Sequence, residues 1–146
     1  MTINELTAAE CSEFLSRVSL GRLACSLDDQ PYVVPIFLAH DAGYLHALST
    51  VGQKIKWMRK NPKVCVQVDE IQSQSQWTSV VVNGQYQELV EPRYSSELAH
   101  ARKLLEKHLR WWENAMAERQ LKMPDSLIAP LFFRVHVESM TGLRAD

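Results

Sequence analysis

Apolar residues alternate with other residues in several short runs of the chain, at 23–27, 64–68 and 131–138. Successive side chains of a strand point to opposite faces of a sheet, so each run predicts a half-buried β-strand. Segments 32–38, 44–48 and 77–91 are also rich in strand-forming residues. Turn residues at 28–31 and 41–43 separate the first strands, which indicates an antiparallel meander. The pattern favours a mainly β fold with a few added helices.

Two short segments carry the start signal of a helix. Thr7 and Glu10 have the spacing of a capping box, and the apolar stripe that follows is expected to end at Gly21. Thr50 and Gln53 repeat the capping spacing before a short basic helix. Both helices are therefore predicted from a local signal at their first turn.

A third, longer helix is predicted after residue 94. Ser95 or Ser96 would cap it, and apolar residues from Leu98 to Trp112 form a single stripe along it. A loop containing Pro124 would then lead to the last strand.

Composition excludes several classes of protein. The chain has 146 residues, 46% of them hydrophobic and 23% charged, and a net charge of −1, which predicts one globular domain over 1–146 and disfavours nucleic-acid binding. Its three cysteines are widely spaced, which is typical of a cytoplasmic protein rather than a disulfide framework. No apolar run is long enough for a membrane helix, and the five histidines have no metal-binding spacing, so we expect neither membrane insertion nor a metal site.

Pro35 lies inside the predicted strand 32–38. Proline has no N–H and cannot donate a hydrogen bond to a neighbouring strand, so it must occupy an edge, a bulge or a place where something other than a strand lies alongside. A ligand is one such neighbour.

Residues 48–54 outline an anion site. Ser49 and Thr50 supply hydroxyls at the end of a strand, Gly52 and Gln53 begin a helix, and Lys54 adds a positive charge. Free backbone N–H groups and the helix dipole favour a phosphate at such a terminus. The alternative is that Thr50 merely caps the helix and Lys54 is solvated.

Other catalytic signatures are missing from the sequence. It contains no GxSxG, no P-loop and no GxGxxG, so hydrolase and dinucleotide-fold interpretations lose their usual support. A haem held by one axial histidine leaves no sequence signature, so that alternative stays open.

The chain resembles the pyridoxamine-phosphate-oxidase-like FMN-binding split barrels, a superfamily that includes 5-nitroimidazole-resistance reductases. The resemblance extends nearly end to end. It is carried by five blocks in a fixed order: Gly-Arg-Leu-Ala at 21–24, Pro-Tyr-Val-Val-Pro at 31–35, the segment 52–65 from Gly-Gln-Lys onward, Trp-Thr-Ser-Val-Val-Val-Asn-Gly at 77–84, and Thr-Gly-Leu-Arg-Ala at 141–145.

The resemblance implies a six-stranded antiparallel Greek-key split barrel that forms a homodimer with FMN between the subunits. By local rules Asn83 and Gly84 would form a tight hairpin, but the resemblance implies one long strand over 77–91 that bends at Gly84. It also implies cofactor-binding residues: Val33, Val34 and Pro35 along the isoalloxazine ring, Ser49, Thr50, Gln53 and Lys54 at the phosphate, and Trp77 and Ser79 of the partner subunit as a further wall.

Two positions depart from the family pattern. Many relatives have an arginine where Gln53 stands and a histidine where Ala47 stands, and the residues that bind vitamin B6 in the true oxidase are not recognisable. The resemblance therefore implies an FMN-dependent oxidoreductase with a small-molecule electron donor and acceptor, and no catalytic side chain is assigned because the flavin carries the chemistry. The alternatives are a non-catalytic flavin carrier or sensor, or a relative that binds haem or a deazaflavin.

Overall fold

The computed structural model describes residues 1–123 and 129–146, so the predicted loop residue Pro124 lies outside the described part. In that part no helix is long and apolar enough to cross a membrane. The elements in chain order are β1 Ile3–Glu5, α1 Ala8–Arg17, β2 Leu20–Leu27, β3 Gln30–Asp41, β4 Tyr44–Ser49, α2 Gln53–Lys60, β5 Lys63–Ser73, β6 Gln76–Glu88, α3 Ser95–Leu104, α4 Glu106–Lys122 and β7 Leu131–Ala145.

The strands form one antiparallel sheet in the order β1-β7-β4-β3-β2-β5-β6, and β7 also pairs with β6. This extra pairing closes β2 to β7 into a ring, with β1 attached to the edge of β7. The mainly β fold that the sequence patterns predicted and the six-stranded split barrel that the family resemblance implied are both confirmed. The three-residue strand β1 was not predicted.

The barrel interior is filled by alternate side chains of its strands. Leu23, Val66 and Val80 are fully buried there, and α1 adds Phe14 and Leu15. Burying one such side chain contributes about 1.5–3 kcal/mol, so this cluster is a main source of stability.

The first helix begins where predicted but ends earlier. The Glu10 N–H donates to the Thr7 hydroxyl at 3.2 Å and the Thr7 N–H donates to the Glu10 carboxylate at 3.0 Å, which confirms the capping box. Gly21 does not end the helix, because it lies in β2. A Cβ there would come within 2.9 Å of the Val68 and Leu38 side chains, so glycine allows close packing inside the barrel.

Gly84 marks a bend in a continuous strand. The tight hairpin expected from Asn83 and Gly84 is wrong, since β6 continues through both residues and its pairing with β7 shifts register there. A Cβ on Gly84 would overlap the carbonyl oxygen of His136. The close approach of two backbones explains the glycine, as the family resemblance implied, although the strand ends at Glu88 rather than at residue 91.

The hairpin turns are shorter than predicted. Asp28 and Asp29 have φ of 50° and 64°, which makes a two-residue turn, and residue 30 already belongs to β3. Ala42 and Gly43 form a similar turn with φ of 50° and 83°. The antiparallel meander of β2, β3 and β4 is confirmed.

The predicted long helix is two helices that meet at Leu105. Neither Ser95 nor Ser96 is the N-cap, which is Tyr94, and the Ser95 hydroxyl instead donates to the Pro92 carbonyl. The helices cover one face of β7, so Phe132 is 3% exposed and β7 is buried on both faces here rather than half-buried.

Candidate functional site

Within the part of the chain that the structure describes, half of β3 has a free edge. β2 pairs with β3 from Gln30 to Phe37, whereas β4 pairs with β3 only from Leu38 onward. The Leu38 N–H donates to the Ser19 carbonyl at 2.9 Å. The N–H and C=O groups of successive residues point to opposite edges of a strand. Because those of Leu38 point toward β2, the nitrogen of Pro35 points away from β2, toward the free edge. Pro35 therefore costs no hydrogen bond between strands, as its position in the sequence predicted.

The free edge also exposes backbone polar groups. The backbone groups of Val33 point the same way as those of Pro35. The N–H and C=O of Val33 and the C=O of Pro35 therefore face the free edge, whereas the backbone groups of Val34 face β2. Val33 is 62% exposed and Pro35 is also exposed. A ligand lying along this edge would find one donor and two acceptors.

Among residues 1–123 and 129–146, no side chain caps the first turn of α2. Its N-cap is Gly52, so the predicted capping role of Thr50 is wrong. The Ser49 hydroxyl, which is buried, donates to the Thr50 carbonyl at 2.9 Å. The first helical hydrogen bond runs from Lys56 N–H to Gly52 C=O, so the N–H groups of the preceding turn are left for another acceptor.

Lys54 lies half-buried beside this turn. Burial lowers the pKa of its ammonium group, and the neighbouring buried Cys25 acts in the opposite direction. Within the described residues no carboxylate pairs with Lys54. An anionic ligand would compensate the lost hydration of the ammonium group.

The body of α2 is fixed to the barrel. Ile55 and Met58 are fully buried. The Arg59 guanidinium makes two hydrogen bonds to the Glu88 carboxylate, at 2.7 and 3.1 Å, and the Tyr86 hydroxyl donates to the same carboxylate at 2.7 Å. The buried side chains and the last-turn ion pair thus fix the helix to the barrel.

Pro35 and Lys54 line one pocket of about 120 Å³. Ile36, Phe37 and Leu48 of the barrel and His108, Trp111 and Trp112 of α4 complete its lining. The predicted set of cofactor-binding residues contained none of these six. Phe37 shared the face of Val33 and Pro35 by strand alternation and could have been found, but the side chains from α4 are brought in by tertiary packing alone.

Three further residues predicted to bind the cofactor, Gln53, Trp77 and Ser79, are not among the residues that line this pocket. Gln53 is exposed at the first position of α2, and Ala47, the other departure from the family pattern, is 1% exposed in the core. Trp77 and Ser79 lie on β6, and β2 and β5 separate them from β3. Three strand spacings are roughly 14 Å, so one chain does not bring Trp77 and Ser79 to Pro35.

Ser79 belongs to a polar network on the outer face of the barrel. The Gln67 side-chain amide donates to the Ser79 hydroxyl at 3.1 Å and to the Asp69 carboxylate at 2.9 Å. Arg22 lies 3.6 Å from that carboxylate. The network fixes the orientation of Ser79, and the sequence analysis did not detect it because its members come from three strands.

Comparison with known proteins assigns the family. Residues 7–144 match the family model described as pyridoxamine 5'-phosphate oxidase. An uncharacterized protein of Rhizobium meliloti is 43% identical over 99% of this chain and 97% of its own length. A crystal structure of an FAD-binding protein from Mesorhizobium loti is 41% identical, covers 100% of both chains and has a TM-score of 0.84.

A more distant structure shares the fold. A crystal structure of a putative 5-nitroimidazole antibiotic resistance protein from Bacteroides thetaiotaomicron covers 100% of this chain and 93% of its own, with 17% identity and a TM-score of 0.66. Taken with the match over residues 7–144 and the relatives above 40% identity, the chain belongs to the pyridoxamine 5'-phosphate oxidase family.

Proposed function

We propose that this protein is a flavin-dependent oxidoreductase that works as a homodimer. The observation that carries the proposal is the pocket that Pro35 and Lys54 share, where the free edge of β3 meets the uncapped turn of α2. The relative from Mesorhizobium loti, described as FAD-binding, supports a flavin as the ligand.

The residues around α2 fit the phosphate that FMN and FAD share. Backbone N–H groups of the first turn and the Lys54 ammonium group donate to it, and the Ser49 and Thr50 hydroxyls lie at the adjoining strand end. Gln53 adds a neutral donor where relatives place an arginine. This set holds the anion with one full positive charge.

The free edge of β3 fits the ring. The N–H of Val33 and the carbonyls of Val33 and Pro35 can hydrogen-bond to the polar edge of an isoalloxazine, and Val34 anchors the strand to β2 behind it. The flavin supplies hydride and electron transfer, while these residues orient the ring.

The homodimer completes the site. A pocket of about 120 Å³ is smaller than most ligand sites, which measure roughly 300–1,000 Å³, so a further wall is required. Trp77 and Ser79 of the partner subunit supply that wall in this proposal. The outer face of the barrel exposes Leu20, Ile71 and Leu143, at 47%, 69% and 44%, which suits a surface that is covered by a second copy.

The test is an absorption spectrum of the purified protein before and after addition of FMN and desalting, with the released chromophore identified by mass. We expect about one flavin per chain, reducible by NADH or NADPH under anaerobic conditions. Retained flavin that neither donor reduces would identify a carrier or sensor instead. A Soret band, or a deazaflavin mass, would replace the flavin assignment altogether.

A further inference from the structure

A small apolar cluster, separate from the barrel interior, holds α3 and α4 on the barrel. Its buried members are Leu89, Ala101, Leu105 and Phe132. α3 packs on β4 and β7, and α4 packs on α3. Segments held by few buried apolar contacts open at a lower free-energy cost than the whole fold. α3 and α4 therefore need less free energy to separate from the barrel than the whole chain needs to unfold.

His46 of β4 lies under α3. It is 2% exposed, and within the described residues its Nδ1 has no hydrogen-bond partner. The ring of His100 on α3 meets the His46 ring edge-on, with centroids 5.7 Å apart. A proton on His46 Nδ1 would be a buried, charged N–H without an acceptor as long as α3 stays in place. The closed arrangement of α3 thus requires a neutral His46.

The groups around His46 strengthen this requirement. In the described part of the chain, the titratable or charged side chains that face it are His40 and Asp41 of β3, Tyr44 of β4, Arg134 of β7 and His100 of α3. Burial lowers the pKa of His46 to about 4, and the arginine and both other histidines act in the same direction, whereas Asp41 opposes them. The Asp41 carboxylate also lies 2.7 Å from His100 Nε2 and so ties α3 to the end of β3.

α3 is connected to the pocket between β3 and α4. α4 forms one wall of that pocket through His108, Trp111 and Trp112. The His108 ring stacks on Phe37 of β3 with centroids 4.9 Å apart. α4 follows α3 directly at Leu105, so a movement of α3 away from β4 carries the start of α4 with it. The pocket then loses a wall, and a ligand bound there becomes exposed to solvent.

We propose that His46, His100 and Asp41 form an acid-sensitive latch, in which protonation of His46 detaches α3 and α4 from the barrel and opens the pocket. The latch follows from the contacts of the chain itself, whereas its control of flavin release rests on the proposed function.

The direction of the pH effect follows from the two states of His46. In the open form water reaches the ring, which takes up a proton near the ordinary histidine pKa of about 6.5, whereas the closed form does so only near pH 4. Opening is therefore favoured as pH falls from about 6.5 to about 4. Between pH 7 and pH 5 the equilibrium constant for opening should rise roughly 20-fold.

Hydrogen exchange of the purified protein, measured by mass spectrometry at pH 7 and pH 5 and corrected for intrinsic rates, tests the latch. We expect opening of α3 and of the start of α4 to increase roughly 20-fold at pH 5, while β6 and β7 stay protected. His46→Leu should lose most of this increase, and His46→Gln, which is also neutral at both pH values, replaces it if the leucine variant does not fold. A small increase should remain from His108, whose pKa is also lowered by burial. His136→Leu, at an exposed position of β7, is the control and should keep the wild-type increase.

A second measurement tests control of the site. The dissociation rate of bound FMN, followed by fluorescence after dilution, should rise about tenfold or more from pH 7 to pH 5 in the wild type and in His136→Leu. It should change much less in His46→Leu.

The outcomes separate the latch from the proposed function. Unchanged protection of α3 at pH 5, or an increase in opening that the His46 variants keep, overturns the latch. An equal loss of protection in β6 and β7 also overturns it, because acid then unfolds the whole molecule. Opening of α3 without faster FMN release overturns control of the site and leaves the flavin site intact. A wild type that binds no flavin contradicts the proposed function, and hydrogen exchange then still decides whether the latch exists.

Discussion

Lys54 and Lys56 are close in sequence on α2 but differ in surroundings. Lys54 is half-buried and lines the pocket, whereas Lys56 is exposed. Their side chains have the same charge and length, so a comparison of the two isolates the effect of position. In the proposed function Lys54 binds the phosphate and Lys56 does not.

Lys54→Met should weaken flavin binding strongly. A hydrogen bond to a charged group contributes about 1.5–3 kcal/mol, so we expect the dissociation constant for FMN to rise roughly 10- to 100-fold. Fluorescence titration of the apoprotein with FMN measures it, and Lys56→Met is the control. Equal and small effects of the two substitutions would show that the anchor is assigned wrongly.

His46 is a buried titratable group away from the pocket. It is 2% exposed, and within the described residues its Nδ1 has no hydrogen-bond partner. Burial lowers its pKa to about 4, assisted by the charges of His100, Arg134 and His40 and opposed by Asp41. His100 lies edge-on at 5.7 Å and pairs with Asp41 at 2.7 Å.

Acid should therefore destabilise the fold through His46. The ordinary histidine pKa near 6.5 applies to the unfolded chain, which takes up the proton first as pH falls, so stability is lost between about pH 6.5 and pH 4. The loss approaches about 3 kcal/mol over this window. Urea unfolding at pH 7 and pH 4.5 should show a smaller pH effect in His46→Leu than in the wild type. The exposed His136, changed to Leu, should keep the wild-type pH effect, and equal pH effects in all three proteins would contradict the assignment.

At the level of elements, β6 and β7 form the longest antiparallel pairing of the barrel, and Gly84 lies where its register shifts. The two strands approach so closely there that no side chain fits on residue 84. A bend of this kind lets one strand follow the curvature of a closed barrel and pair with a neighbour on each side.

Gly84→Ala should destabilise the protein by about 3 kcal/mol, because the new methyl group meets the backbone of His136, which cannot rotate away. Gly52→Ala is the matched control, since nothing lies within 4 Å of the added Cβ and its φ of −140° suits alanine. The midpoint of chemical denaturation measures both. A Gly84→Ala protein as stable as Gly52→Ala would show that the backbones are not packed as described.

Sequence patterns predicted the elements that local chemistry determines. The Thr7 capping box, the alternating strands and the free backbone edge at Pro35 all follow from neighbours in the chain. Gly21 and Gly84 were misassigned by local rules because close contacts between distant strands, and not turns, require them. The helix break at Leu105 depends on how α4 packs, which no local pattern contains. The same packing buries Trp112 and leaves its neighbour Trp111 exposed.

For the molecule as a whole, the outer face of the barrel exposes apolar side chains, among them Leu20, Ile71 and Leu143. The polar network of Arg22, Gln67, Asp69 and Ser79 lies among these exposed apolar side chains. Leu143 is paired with Ser79 where β7 meets β6. A surface with both kinds of group suits an interface between copies of the chain.

Leu143→Asp should prevent dimerisation and reduce flavin retention together, because a buried unpaired carboxylate is costly. Light scattering after gel filtration should give twice the mass of one chain for the wild type and the mass of one chain for the variant. Leu121→Asp, on the exposed surface of α4, should remain dimeric. A Leu143→Asp dimer that retains its flavin would contradict the proposed interface.

The free half of β3 has a consequence for solubility. An unpaired strand edge can serve as a template for strands of other molecules and so start aggregation. Pro35 breaks the row of N–H groups on that edge, so an incoming strand would find a gap in its hydrogen bonding. Pro35, which leaves space for a ligand in the proposed function, thus also hinders sheet formation between newly made molecules before any ligand has bound.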